Sequence, residues 1–532
     1  MLRIIYLKIH EHPQLGNIEL DFYDKTDDNN IRSPYTSIII GPNGTGKSFI
    51  LREIAEIFRQ FQDYAIGGRR PAISYSFSLR YSINEEFFEI HSTRLKWQMK
   101  SNGNERIERS FRYFKNSPEN LNYYMQAPIF EAHTEYDIQI SDVKFPARIL
   151  AVSLLHYDRF TFKESRPDEF YQYLGLRSGS GSTSTKAAQR KVIRNLFSAA
   201  TSNRDFIDNL KSLLGFLNFK NTFKVQYVTR YNTLFFSGNL TVENFEKFYE
   251  LWWDESFKFS NRKQDNPPWS KPYYDRNFKG ERQKIDKFVS YLNEISTQPN
   301  KLKKRANSSS KIFIIDFLHD SSSHEELEFI KHLESLDIVS LDGIKVSKLD
   351  KEFLTSEISS GESSLLLSTV NIFSRVTRDS LILIDEPEIS MHPNWQMQYM
   401  SFIKKAFASI YDSHFIITTH SHFLLSDLDG ETSAILALSR DDNAIKAKLL
   451  NLKNTFGWSA EEILLEVFKV PTTRNYFLNE KIGEILNLMA DPLSENQNII
   501  NKIEALKELN LENLSDNDPL KEIVVKLFDK VS

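Results

Sequence analysis

Ser37-Ile38-Ile39-Ile40-Gly41-Pro42-Asn43-Gly44-Thr45-Gly46-Lys47-Ser48 is the stretch on which the reading of the fold turns. Ser37 to Ile40 is a short continuous run of the kind found in strands buried on both faces. Directly behind it, Gly41 to Ser48 satisfies G-x-x-x-x-G-K-[ST]. Ile50, Leu51, Ile54, Ile57 and Phe58 then recur at helical spacing, with Arg52, Glu53 and Glu56 between them. Strand, glycine-rich loop and helix in this order are what a phosphate-binding loop requires. Its backbone N–H groups turn inward around phosphates, Lys47 brings positive charge to the β- and γ-phosphates, and Ser48 offers an oxygen to Mg²⁺. The helix points its positive end at the same anion. A plain glycine-rich turn before a helix is the alternative, and the flanking elements disfavour it.

Working outward, Leu2 to Ile9 reads as a strand with Ile18 to Tyr23 as its hairpin partner. Short alternating segments such as Ile73 to Leu79 predict an antiparallel sheet over 70–165, and Arg148 to Ser153 a further buried strand. Residues 178–186 (SGSGSTSTK) form a low-complexity loop. A largely helical stretch from 188 to 300 follows, interrupted at Asn266-Pro267-Pro268-Trp269. The core is expected to resume at Lys311 to Ile315, to add strands at Leu381 to Ile384 and His414 to Thr418, and to give way to helices after 430. There is neither an internal repeat nor a heptad run long enough for a coiled-coil arm.

Three further constellations bear on chemistry. Leu381-Ile382-Leu383-Ile384-Asp385-Glu386-Pro387 ends a buried strand in two carboxylates. Asp385 suits the Mg²⁺ shell, and Glu386 suits the orienting or deprotonation of water; an acidic pair that only caps the next helix is the other reading. Ile358-Ser359-Ser360-Gly361-Glu362-Ser363 places small residues at a helix start, exposing N–H groups and hydroxyls to an anion, although such runs are also ordinary caps. Thr418-Thr419-His420-Ser421 closes a strand, where His420 is placed to touch a γ-phosphate.

Together these motifs resemble the ABC-type ATPase heads of the SMC, RecF and OLD group. The order is the same: phosphate loop, ISSGE in place of LSGGQ, LILIDEP, the segment Glu388-Ile389-Ser390-Met391-His392-Pro393, then TTHS. ISSGE departs from the pattern at Ser360, where the family has Gly, and at Glu362, where it has Gln. The resemblance covers 1–60 and 350–430 closely. It implies an α/β fold, an ABC-type head whose mixed sheet with a P-loop core is joined by an antiparallel sheet, with a mainly helical insertion and C-terminal helices. The corresponding division is 1–187, 188–310, 311–440 and 441–532. It also implies ATP and Mg²⁺ as cofactors and self-association head to tail, as a dimer or higher oligomer, with Ser359 and Gly361 of one chain closing on nucleotide held by Gly41–Ser48 of the other. Asp158, in Tyr157-Asp158-Arg159-Phe160, is the candidate for the family's Q-loop residue.

Composition narrows the work such a head does. The chain has 532 residues, 67 Lys+Arg, 71 Asp+Glu and a net charge of −4, so nucleic acid would have to be met by a local patch. Zero Cys excludes disulfides, thiolate metal sites and thiol nucleophiles. No apolar run reaches the roughly 18–20 residues of a membrane span, and the start is too polar for a signal peptide, so a cytoplasmic protein with no membrane contact is expected. Lys47 and Asp385 lie 338 residues apart, more than transporter ATPases use and without the heptads of SMC arms.

Phe456-Gly457-Trp458-Ser459-Ala460-Glu461-Glu462-Ile463-Leu464, then Pro471-Thr472-Thr473-Arg474-Asn475, leads into helices. This tail resembles that of the ATPase subunits of Septu and certain retron antiphage systems. The resemblance implies a separate HNH nuclease subunit as partner, and brings in a retron reverse transcriptase with its RNA and DNA. An OLD-like ATPase that is itself a DNA-processing nuclease is the alternative. However, the tail lacks a strand-borne carboxylate set, and Asp516-Asn517-Asp518-Pro519 reads as a helix cap. Ile482, Ile485, Leu486 and Met489 share one face of a 474–490 helix, either as a partner dock or as packing on the ATPase core. Between Lys258 and Arg305 there are 13 Lys+Arg and 5 Asp+Glu, with Trp252, Trp253, Trp269, Tyr273 and Tyr274 in or beside the stretch. That composition suits either nucleic-acid contact or a solvated helix face.

Overall fold

The computed structural model describes the chain apart from residues 23–33, 99–104, 117–136, 164–168, 178–189, 201–205, 251–269, 306–309, 319–323, 451–461, 465–475, 491–495, 512–518 and 530–532, and scattered shorter gaps. The expected loop at 178–186, the Pro-Pro-Trp break with Trp252, Trp253 and Trp269, most of the tail motifs at 456–464 and 471–475, and Asp516 to Asp518 lie outside the described residues.

The chain opens with β1 (Arg3–His12), β2 (Gly16–Asp21), β3 (Tyr35–Ile40) and α1 (Lys47–Ala65). Then come β4 (Ser76–Ile83), β5 (Glu86–Gln98), β6 (Glu105–Asn116), β7 (Arg148–Ser153) and β8 (Tyr171–Tyr173). Next are α2 (Phe206–Phe216), β9 (Phe223–Thr229), α3 (Val242–Glu250), α4 (Arg282–Ser296), β10 (Leu302–Lys304) and β11 (Lys311–Asp316). After α5 (His324–Ser335), β12 (Val339–Lys348) and β13 (Lys351–Leu354), the chain forms α6 (Ser360–Phe373), β14 (Ser380–Asp385), α7 (Pro393–Ala406) and β15 (His414–Thr419). It ends with β16 (Ser433–Asp441), β17 (Ala444–Leu450), α8 (Tyr476–Ala490), α9 (Asn496–Lys507) and α10 (Pro519–Phe528).

The phosphate-loop sheet has seven strands in the order β17-β16-β3-β15-β14-β7-β8. All neighbours are parallel except the β16–β17 pair, which makes the sheet mixed. Every residue of β3, β14 and β15 is buried, as continuous apolar runs require in a sheet covered on both faces. A second sheet, β2-β1-β4-β5-β6, is antiparallel throughout. α1 lies in the core the two sheets share, since Ile50, Ile54, Phe58 and Phe61 join one apolar cluster with Leu7, Ile9 and Leu79 of the antiparallel sheet and with Ile149, Leu383 and Ile416 of the parallel one. His414 fastens the sheets together. Its Nδ1 accepts the Ile4 backbone N–H at 2.9 Å and its Nε2 meets Ser37 Oγ at 2.9 Å. Complete burial, with Arg3 adding to it, pushes its pKa well below the usual value, so it serves as a neutral strut.

Three expectations are corrected. Lys311–Asp316 does not resume the phosphate-loop sheet. It pairs antiparallel with β9 inside a third sheet, β10-β11-β9-β12-β13. Phe313 and Ile315 are buried while Ile312 and Ile314 are only half-buried, so the apolar run belongs to a one-sided strand, and the expected division at 310/311 falls between the paired strands β10 and β11. The region after 430 is not helical at first, because Ala434 to Leu438 supplies β16, parallel to β3, before the chain reaches α8. The α8 stripe, finally, is committed for the most part to the core of its own unit. The chain divides into two compact units, Met1–Gly457 and Trp458–Ser532. Ile482 and Ile485 are buried with Ile503, Leu506, Leu520, Val524 and Leu527 in the second unit's own core, with Met489 packed against it, while Leu486 is 43 % exposed. Ile485→Ala should therefore destabilise the C-terminal unit by about 2–5 kcal/mol. Hydrogen exchange should quicken in 476–528 and stay unchanged across β3, β14 and β15.

Candidate active site

The loop between β3 and α1 is shaped by glycines that nothing else replaces. Gly41 has φ 152°, and a Cβ there would lie 2.6 Å from the Leu438 carbonyl oxygen of β16. Gly46 stands before α1 at φ 84°, where a Cβ would overlap the Leu15 side chain. Thr45 Oγ1 donates to the Pro42 carbonyl at 2.8 Å and tightens the turn, leaving Pro42, Asn43 and Gly44 exposed at its lip. The Lys47 ammonium folds back to donate to the carbonyls of Gly41 at 2.8 Å and Pro42 at 3.3 Å. It also stands 2.8 Å from Nε2 of His420. Burial pushes Lys47 down to about 8, opposed by the charges of Glu386, Asp385 and Glu388.

β14 and β15 bring the acidic side to the same place. Asp385 pairs in register with Thr418 and, on the other flank, with Ser153. Its Oδ1 accepts from Ser48 Oγ at 2.9 Å and from Thr418 Oγ1 at 2.6 Å. Its Oδ2 is buried without a hydrogen-bond partner. Burial raises the Asp385 pKa, and the charges of Glu386 and Asp158 add to that effect. A buried carboxylate with one unpartnered oxygen, beside a serine hydroxyl, is a hard-oxygen donor set that fits Mg²⁺.

Glu386 sits at φ 50°, a left-handed conformation uncommon for a residue with a side chain. The bond from its N–H to the Thr418 carbonyl, 3.0 Å, holds it there. Its Oε1 lies 3.4 Å from His420 Nε2. The bond from His420 keeps its pKa below the ordinary range against the opposing effect of burial, and the Lys47 charge adds to the lowering. Glu388, which the sequence reading left as one letter of a motif, accepts the His420 backbone N–H on Oε1 at 2.6 Å. The only signal for it was a third carboxylate within four residues of the strand end.

Ser359 and Gly361 lie elsewhere. Ser359 caps α6 in a reciprocal capping box with Glu362. Gly361 packs so closely on the Ser390 carbonyl that no Cβ would fit. Both line a cleft of about 900 Å³ with Ser390, His392, Trp395 and Lys348, and no residue of 41–48 lines it. Burial would raise the Glu362 pKa, but bonds from Lys348, at 2.8 Å, and Ser359 bring it below its usual value.

Asp158 does not suit the Q-loop role. Its charge reaches Asp385, but its own oxygens are taken by Arg177, at 2.5 and 3.1 Å, by Tyr173 at 2.5 Å and by the Phe160 N–H at 3.0 Å. Among the described residues, part of the basic stretch is engaged within the chain. Lys301 pairs with Glu326 at 2.5 Å, Lys287 with Glu325 at 3.5 Å and Arg282 with Glu243 at 3.2 Å, while Lys303, Lys304 and Arg305 are exposed. Tyr274 is fully buried and stacked on Tyr249 at 4.7 Å, and Tyr273 bonds to His332, so neither ring is presented for base stacking.

Lys47 yields a pH test. A bound triphosphate restores its charge, so binding requires no proton below the free-state pKa of about 8 and takes one up above it. Nucleotide affinity should hold to about pH 8 and then fall as pH rises, by up to about tenfold per unit. Titration calorimetry should show proton uptake on binding in alkaline buffer, and Lys47→Arg, whose guanidinium stays charged, should abolish both effects.

Comparison with known proteins gives the family. The AAA ATPase domain family matches residues 4–425. Septu protein PtuA of Bacillus thuringiensis is 32% identical over 107 residues, which is 20% of this chain and 26% of that protein. Septu protein PtuA of Bacillus mycoides strain KBAB4 is 28% identical over 131 residues, 24% of this chain and 18% of that protein. The aligned stretches thus span about a quarter or less of those relatives' lengths. Among solved structures, the Smc head domain with an extended coiled coil bound to the C-terminal domain of ScpA, derived from Pyrococcus furiosus, aligns over 86% of this chain and 98% of its own at 12% identity, with a TM-score of 0.33. On its sequence match across most of its length, the chain belongs to the AAA ATPase domain family.

Proposed function

We propose that this chain is the ATP-hydrolysing switch subunit of a Septu-type antiviral defence system, and that it controls a nuclease carried by a partner. One observation supports the hydrolytic part most directly. Lys47, His420 and Glu386 form a contiguous set at the carboxyl ends of the central strands, with 2.8 Å between the first two and 3.4 Å between the last two. In the proposed cycle the triphosphate lies along 41–48 and draws Lys47 from its loop carbonyls. Asp385 and Ser48 would hold Mg²⁺, which when bound neutralises charge developing on the phosphate oxygens. Glu386 takes the proton of the water that attacks the γ-phosphorus as the bond to ADP breaks, and His420 donates toward the γ-phosphate.

Association is part of the proposal. The cleft beside Ser359 and Gly361 shares no lining residue with the phosphate loop, which supports a composite site closed by a second copy. The defence role rests on the likeness to the two PtuA proteins and on the tail motifs, and from it follow the expected partners: an HNH nuclease subunit, a nucleic acid, and in retron versions a reverse transcriptase with its RNA and DNA. Since Ile482 and Ile485 of the α8 stripe are buried inside the C-terminal unit, they are not available as a dock.

Glu386→Gln should keep nucleotide binding while slowing turnover by about 10²-fold or more. Lys47→Ala should lose affinity instead. Undiminished turnover of purified Glu386→Gln protein would remove the proposed base. Ser359→Arg should also be inactive alone, and mixing it with Lys47→Ala protein should recover at most one working composite site. Full activity of Ser359→Arg by itself would contradict closure in trans.

A further inference from the structure

Glu388 has no part in the cycle above, yet it is built into the site. Its Oε1 accepts the His420 backbone N–H at 2.6 Å, and its Oε2 is buried with no hydrogen-bond partner. The ladder explains why that N–H needs an acceptor. β15 pairs with β3 as far as Thr419 and Ile40, and with β14 as far as Thr418 and Asp385, so the backbone at His420 leaves the sheet with no strand on either side. The segment after β14 curls to supply the acceptor. Glu386 is pinned to the Thr418 carbonyl, Ile389 N–H bonds back to Glu386 at 3.4 Å, and Met391 N–H to Glu388 at 2.9 Å, which returns the Glu388 side chain to the end of β15. His420 therefore has its backbone held by one carboxylate and its imidazole shared between Lys47 and another carboxylate, that of Glu386.

From this juxtaposition we infer that Glu388 is a positioning residue for hydrolysis: its carboxylate fixes the His420 main chain and so aims the imidazole between Lys47 and Glu386. The inference rests on the hydrolytic reading above. The contact observed for Glu388 is to the His420 main chain, which points to positioning rather than to a second base. The bond is charge-assisted, and losing it leaves an uncompensated N–H at a residue that touches both Lys47 and Glu386.

A double-mutant cycle in turnover tests it, using the full chain and reading kcat, the affinity for a fluorescent ADP analogue and the melting temperature. Glu388→Ala and His420→Ala should each lower kcat by about tenfold or more, with nucleotide affinity within about twofold, and the double variant should be no slower than the slower single. Glu388→Gln keeps a carbonyl oxygen for the His420 N–H and should stay within about threefold of the wild type. If Glu388→Ala does not fold, Glu388→Asp takes its place: it keeps the charge, lacks the reach, and must be slow. Losses that multiply in the double variant, or a Glu388→Gln protein as slow as Glu388→Ala, would overturn the inference. A wild-type chain that does not hydrolyse ATP at all would overturn the hydrolytic reading instead.

Discussion

The pairing of Asp385 with Thr418 across β14 and β15 sets the chemistry at the end of the sheet. Thr418 makes two bonds there, donating Oγ1 to Asp385 at 2.6 Å and accepting the Glu386 N–H on its carbonyl at 3.0 Å. The first aims one carboxylate at Ser48, and the second holds Glu386 in a left-handed conformation that turns its side chain toward His420. A slip of one residue would put every β14 side chain on the opposite face and separate Asp385 from Ser48. The register is fixed along the strands by the pairing of Leu381 to Asp385 with His414 to Thr418 and of His414 to Thr419 with Tyr35 to Ile40. Catalytic groups at the carboxyl ends of parallel strands are the general outcome of such a sheet.

Electrostatics then sets three neighbouring carboxylates apart. Asp385 and Glu388 are raised by burial, and each keeps an oxygen without a hydrogen-bond partner. Glu386 is lowered, chiefly by His420. Groups close together whose environments push their pKa values apart are the mark of assigned acid and base work. Lys47 sits among all three and is still driven down to about 8 by desolvation, so only above that pH does it take up a proton when an anion arrives.

What could be read from sequence was what is locally encoded. The loop Gly41–Ser48 and the strand ending in Asp385 announce themselves because glycine positions, apolar runs and terminal carboxylates occupy adjacent letters, and the structure brings Lys47, Ser48, Asp385, Glu386 and His420 together. What escaped depends on distant partners. Lys311–Asp316 has the letters of a two-sided strand and becomes one-sided only through its pairing with β9. Ala434 to Leu438 is recruited by β3, almost four hundred residues away. The α8 stripe shows its spacing but not its occupant, which is supplied by α9 and α10. Asp158, the Q-loop candidate, is enclosed by Arg177 and Tyr173. Glu388 is visible as a residue, but its role follows from the place where β15 runs out of ladder.

The signature helix gives the account its reach beyond one chain. Ser359, Gly361 and Ser390 share a cleft whose lining excludes the phosphate loop, while the hydrolytic set stands at the end of β14 and β15. In the proposed assembly each copy brings one half of a site, and work is done when copies meet. The most direct measurement is the ATP turnover per chain as a function of the concentration of the protein itself, followed alongside its sedimentation. The account predicts turnover that rises with concentration and levels off as dimers or larger assemblies replace monomers. A constant turnover per chain, maintained at dilutions where only monomer sediments, would contradict it.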